Sequence, residues 1–118
     1  MKRIATLVAV LAVAAVSVFS VVAYAAQSRS TATTVSVKAT EFKFTLSKKS
    51  APHGKVTFKV TNKGHVKHDF KINGKKTPLI SPGKSATLSV TLKKGSFKYT
   101  CTVPGHAAAG MKGTFKAT

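Results

Sequence analysis

The chain has 118 residues and carries 20 Lys and Arg against 2 Asp and Glu, a formal charge of +18. Its single Cys excludes an internal disulfide. The basic balance favours anionic partners, either an acidic protein or an anionic lipid or cell-wall surface, and a surface merely kept soluble by charge is the plainer alternative.

The first element is hydrophobic. Met1-Lys2-Arg3 leads into an apolar run from Ile4 to Ala26, broken only by Thr6, Ser17, Ser20 and Tyr24, and Ala23-Tyr24-Ala25 supplies the small residues of a cleavage site. This pattern reads as an export signal over residues 1–25. The run also approaches the roughly 20 residues that span a bilayer, so an uncleaved anchor helix over 4–26 is the alternative. Either way the remaining chain is exported, to a periplasmic or extracellular space. Residues 26–34 are small and polar and read as a linker, which leaves 35–118 as one small domain with one core.

From Val35 onward the chain alternates apolar and polar residues, as strands do, with no helical period. Val35 and Val37 begin the pattern, followed by Phe42, Phe44 and Leu46, and then by Val56, Phe58 and Val60. His68, Phe70 and Ile72 share one face, opposite Asp69 and Lys71. Ala86, Leu88, Val90 and Leu92 form the next run, then Phe97, Tyr99 and Cys101, and finally Gly113 and Phe115. Turn signals separate these runs at Pro52-His53-Gly54, Asn62-Lys63-Gly64, Asn73-Gly74, Ser81-Pro82-Gly83 and Lys93-Lys94-Gly95. Six or more short strands with one buried face predict an all-β sandwich of antiparallel sheets.

The last turn region holds the chemistry. Cys101-Thr-Val-Pro-Gly-His106-Ala-Ala-Ala-Gly-Met111 contains the chain's only Cys and its only Met after the initiator. Thiolate, imidazole and thioether are soft donors. With a second imidazole they make the trigonal His₂Cys set with a weak axial Met that suits copper in electron transfer. Occupation by a metal also protects a thiol left unpaired in an oxidising compartment. Strand parity selects His68 as the second imidazole, because it shares the inward face with Phe70 and Ile72. His65 has the opposite parity and His53 sits in a turn. The plainer alternatives are a His68 satisfied by a backbone carbonyl and a Met111 that fills a core gap.

At these residues the chain resembles the cupredoxins, small type 1 blue-copper proteins of the plastocyanin/azurin kind. The resemblance rests on Asn62-Lys-Gly-His-Val-Lys-His68-Asp69-Phe70 and on the Cys101–Gly113 stretch, which reproduce the family's order of His, then Cys, His and Met. Four residues lie between Cys101 and His106, as in azurin, and four between His106 and Met111, one more than in azurin. Asp69 stands where the family often has an Asn that ties the two ligand loops together. The resemblance implies a Greek-key β-sandwich with one copper ion, cycling between Cu(I) and Cu(II), held at one end by His68, Cys101, His106 and Met111.

A monomeric one-electron carrier follows as the leading expectation, with His106 as the exposed ligand ringed by Val66, Pro104 and Ala107 to Ala109. Its expected partner is an anionic redox protein. Copper storage, delivery or resistance with the same ligands is the alternative, and a metal-free basic interaction module is more remote. An enzyme is not expected, since multicopper oxidases and copper nitrite reductases need more histidines than these four. A binuclear copper centre needs a second Cys, and Cys101 lacks the strand–helix setting of an activated nucleophile. Nucleic acid is set aside as well: the lysines are dispersed, Arg29 is the only Arg after the signal, and phosphate recognition favours Arg forks.

Overall fold

A computed structural model describes residues 32–118. The predicted signal or anchor helix, and residues 26–31 of the predicted linker, lie outside the described residues. Among the described residues no helix is long and apolar enough to cross a membrane.

Alternation in the sequence becomes strand after strand. These are β1 (Thr33–Thr40), β2 (Lys43–Leu46), β3 (Ser50–Ala51), β4 (Gly54–Asn62), β5 (Lys71–Ile72), β6 (Lys75–Lys76), β7 (Ser85–Leu92), β8 (Gly95–Thr100) and β9 (Lys112–Ala117). They form two sheets, ordered β2-β1-β4-β7 and β3-β9-β8-β5-β6. One face of each sheet is apolar and the only way to remove it from water is to stack it on the other, which makes a sandwich. In β1, Val35, Val37 and Ala39 are buried while Thr34, Ser36 and Lys38 are exposed, and β4 buries Val56, Phe58 and Val60 in the same rhythm.

The sheets are mixed, not antiparallel as the alternation suggested. β1 runs parallel to β4, with Val35 opposite Phe58 and Val37 opposite Val60, and β3 runs parallel to β9. Alternation reports that one face is buried. It carries no information on the direction of the neighbouring strand, so parallel pairs between segments far apart in sequence stay hidden.

The centre of the sandwich is aromatic. Phe58 packs against Phe70 and Phe115 at ring-centroid distances of 5.1 and 5.2 Å, and Phe70 stacks on Tyr99 at 5.4 Å. Phe58, Phe70 and Phe115 are fully buried, and each such burial stabilises the fold by about 1.5–3 kcal/mol. Asn73-Gly74 turns β5 into β6 with positive φ at both residues (49° and 76°), the conformation that Asn-Gly hairpins adopt.

Phe42 departs from the expected pattern. It does not continue the buried run with Phe44 and Leu46. It sits at the β1–β2 corner, 43% exposed, while Phe44 and Leu46 pack against the core. The corner projects toward one end of the sandwich, where the predicted ligand residues also lie.

Candidate metal centre

The β8–β9 connection supplies one half of the site. After Thr100 pairs with Lys112, the ladder gains one more bond, from the Cys101 N–H to the Met111 carbonyl (3.0 Å), which closes the neck of the loop. Within the loop the chain winds back on itself. His106 N–H donates to Val103 O (3.1 Å), Ala109 N–H to Gly105 O (3.1 Å), Gly110 N–H to Ala107 O (3.0 Å) and Met111 N–H to His106 O (3.1 Å). Small residues at 107–110 permit this tight winding. Gly110 has φ +125°, and even there a Cβ would come within 3.0 Å of the Phe42 carbonyl. Cys101 and Met111 are buried at the neck, and His106 is half-buried at the tip.

His68 supplies the other half and belongs to no sheet ladder. It forms an isolated bridge with Ile80: Ile80 N–H donates to His68 O (2.7 Å) and His68 N–H to Ile80 O (3.2 Å). Asn62, fully buried at the end of β4, braces the same segment. Its amide donates to Val66 O and Ile80 O, both at 2.8 Å, and its carbonyl oxygen accepts from Gly64 N–H at 2.8 Å. The sequence marked Asn62 as a turn residue and as the start of the His68 stretch, with no role for its side chain. The structure makes it the brace of the segment that presents His68.

The two halves converge. His68 Nδ1 lies 3.1 Å from His106 Nδ1, and Cys101 Sγ lies 3.6 Å from His106 Nδ1. All three donor atoms fall within 4.8 Å of one another, and among the described residues no other group of this kind is found. Donors bonded to a shared ion at about 2.0–2.3 Å lie roughly 3–4 Å apart, so the spacing fits one ion. The ring nitrogens of His68 face His106 and the Glu41 carboxylate, not a backbone carbonyl. His53 and His65 are exposed and lie outside the cluster, and His53 Nδ1 instead sits 2.8 Å from the Thr118 oxygen.

The chain's only two acidic side chains both meet the site: Asp69 ties the halves together and Glu41 braces the His68 half. Asp69, placed by the sequence on the face opposite His68, is 2% exposed. The cysteine loop folds over it. Asp69 Oδ1 accepts the Thr102 N–H at 2.6 Å, and Thr102 Oγ1 donates to Oδ2. Asp69 therefore joins the two loops that the family joins through Asn. Glu41, at the β1–β2 corner, went unnoticed in the sequence. Its Oε1 accepts from His65 N–H (2.7 Å) and Val66 N–H (3.0 Å) and lies 3.2 Å from His68 Nε2. The His65 amide is the main cause that holds the Glu41 carboxyl down to about 2, helped by Val66 and His68 against an opposing desolvation. Phe42, next in sequence, sets its ring edge against His106, 5.1 Å between centroids. A lone carboxylate next to an aromatic in a polar corner carries no spacing signal that would reveal either contact.

Burial pushes the Cys101 thiol up, and backbone N–H groups of Asp69 and Val103 pull it back in part. A buried thiol whose ionised form is disfavoured, with amides aimed at its sulfur and two imidazoles beside it, has the surroundings in which a cation would draw out the thiolate.

Comparison with known proteins agrees with this geometry. The family described as copper binding proteins, plastocyanin/azurin family, matches residues 23–118. A search of curated protein sequences returned no match. Among solved structures, the fold is similar to dithionite-reduced auracyanin from Roseiflexus castenholzii, with 22% identity over 74% of this chain and 98% of that one and a TM-score of 0.65. It is similar to auracyanin B as well, with 25% identity over 74% and 89% and a TM-score of 0.63. A multicopper oxidase is matched over only 41% of its own length, with 20% identity over 71% of this chain and a TM-score of 0.59. With a family match over the whole described region and a His-Cys-His cluster at one end of the sandwich, the chain belongs to the plastocyanin/azurin family of copper-binding proteins.

Proposed function

We propose that the chain is an exported, monomeric type 1 copper protein that carries single electrons between redox partners. The observation behind this reading is the cluster of His68 Nδ1, Cys101 Sγ and His106 Nδ1, two of its residues buried and His106 half-exposed at the surface. In this reading those three hold the ion, and the fully buried Met111 offers the weak axial thioether. Copper bound there supplies a one-electron couple. The chain's contribution is rigidity: the Cys101–Met111 neck bond, the Ile80 bridge and the Asp69–Thr102 link fix the donors so that neither oxidation state can rearrange them far. A smaller rearrangement means a lower barrier to electron transfer.

Electrons enter and leave through the His106 edge in this reading. Phe42, whose ring edge meets His106, is 43% exposed, Pro104, Ala108 and Ala109 of the same loop as His106 are exposed, and Val66 is 44% exposed. An apolar rim suits the brief, small contacts of redox encounters. The outer face of the five-stranded sheet adds charge. Lys71, Lys76, Lys98, Lys112 and Lys116 are all exposed on it, and the register sets Lys112, Thr100, Lys71 and Lys76 in one row across four strands. Both carboxylates are engaged elsewhere. This face supports an anionic protein partner steered by charge.

The test begins with the purified protein and Cu(II). An intense sulfur-to-copper absorption band with reversible voltammetry is expected, and no band sinks the reading. Cys101→Ser should abolish the band, whereas His53→Ala and His65→Ala should keep it. Ala108→Asp should slow electron exchange while leaving the band intact; an unchanged rate rejects the His106 rim as the docking surface.

A further inference from the structure

Glu41 reaches a donor of this centre from outside both ligand loops. One oxygen, Oε1, accepts two successive backbone N–H groups, those of His65 and Val66, and faces His68 Nε2 at 3.2 Å. The opposite nitrogen of the same ring is the one that joins the donor cluster. An ionised carboxylate can only accept, so Nε2 carries the hydrogen, and in the neutral ring Nδ1 then presents its lone pair inward. The same side chain packs against Gly64, where a Cβ would lie within 2.8 Å of the carboxylate carbon. The neighbouring Phe42 rests against the His106 ring. One corner, outside both ligand loops, thus contacts both imidazoles.

We propose that Glu41 is a positioning residue of the metal centre: its carboxylate fixes the Nδ1-donor tautomer of His68 and favours the oxidised over the reduced ion. The proposal rests on the copper-site reading above. Its electronic half follows from Coulomb's law, since a negative charge behind one ligand stabilises Cu(II) more than Cu(I). No other carboxylate lies behind an imidazole here, because Asp69 is engaged by Thr102.

Glu41→Gln keeps an oxygen for the two amides and removes the charge, whereas Glu41→Ala removes both. In the metal-free protein, ¹⁵N NMR of the His68 ring is expected to show a single Nε2–H tautomer in the wild type and a mixture in Glu41→Ala. In copper titrations, Cu(II) affinity of Glu41→Gln is expected to fall about 10-fold, the lower end for such supporting contacts, with Cu(I) affinity little changed. A tenfold change in that ratio raises the reduction potential by about 59 mV. An unchanged tautomer in Glu41→Ala, or a wild-type Cu(II)/Cu(I) affinity ratio in Glu41→Gln, overturns the assignment. The tautomer measurement needs no copper, so it still decides if the wild type proves not to take up the ion, which would be a failure of the functional reading.

Discussion

The two halves of the site are built on opposite principles. The Cys101–Met111 loop is local. Three candidate donors sit within eleven consecutive positions, and the loop closes on itself through bonds between near neighbours such as His106 N–H to Val103 O and Met111 N–H to His106 O. The His68 segment has almost no structure of its own. Its position comes from Ile80, Asn62 and Glu41, which lie 12, 6 and 27 positions away in sequence. A self-contained loop should tolerate remote changes, whereas a suspended segment should fail wherever one of its struts is cut.

Asn62→Ala offers the harshest break of this comparison. It strips partners from Val66 O, Ile80 O and Gly64 N–H at a fully buried position. Leaving buried groups unsatisfied costs about 1–3 kcal/mol, and with Val66 O and Gly64 N–H orphaned and Ile80 O left with the His68 N–H alone, the expected loss is near the top, about 3 kcal/mol. Denaturant unfolding measures it. Hydrogen exchange should accelerate at Gly64 and His68 and stay near wild type at His106 and Met111. Equal acceleration in both halves would show that the cysteine loop depends on the same struts after all.

Asp69→Ala is expected to cost less, about 2 kcal/mol, because it cuts the link between the halves and leaves the internal bonds of each. Its orphaned donors are the N–H and hydroxyl of Thr102. Asp69→Asn keeps one acceptor oxygen and should recover most of the loss in a thermal melt. If Asn and Ala variants melt together, the link depends on the negative charge more than on the hydrogen bonds, and the analogy with an Asn at this position weakens.

The same contrast explains what could be read from the sequence. The candidate donors of the loop stood out because a thiol, an imidazole and a thioether on one short segment need no tertiary information. His68 was legible through parity, since its burial alongside Phe70 and Ile72 is a local property of an extended chain. Parity stopped short at Asp69: it set the side chain on the face opposite His68 and could not show that the cysteine loop, 33 positions on, folds over it. It likewise enrolled Phe42 in a buried run that only begins after the corner. Glu41 and the parallel β1–β4 pair were invisible for one reason. Each is a contact between distant segments, and neither leaves a periodicity or a spacing behind.

The mildest perturbation is pH, and it acts on one strut alone. Glu41 is held at about 2 in the folded protein against an ordinary 4.5, chiefly by the His65 amide. A carboxyl whose folded pKa is depressed adds stability that is fully present above its unfolded pKa and lost as the pH falls through the folded value. The contribution should therefore stand above about pH 4.5 and disappear toward pH 2. The stability difference between wild type and Glu41→Gln, both metal-free, is expected to shrink across that window, because protonation turns the wild-type side chain into the neutral group that Gln already is. Chemical denaturation at stepped pH measures it. A difference that stays constant down to pH 2 would mean that the β1–β2 corner holds the His68 segment by shape and not by charge, and that this half of the site has one electrostatic strut fewer than its hydrogen bonds imply.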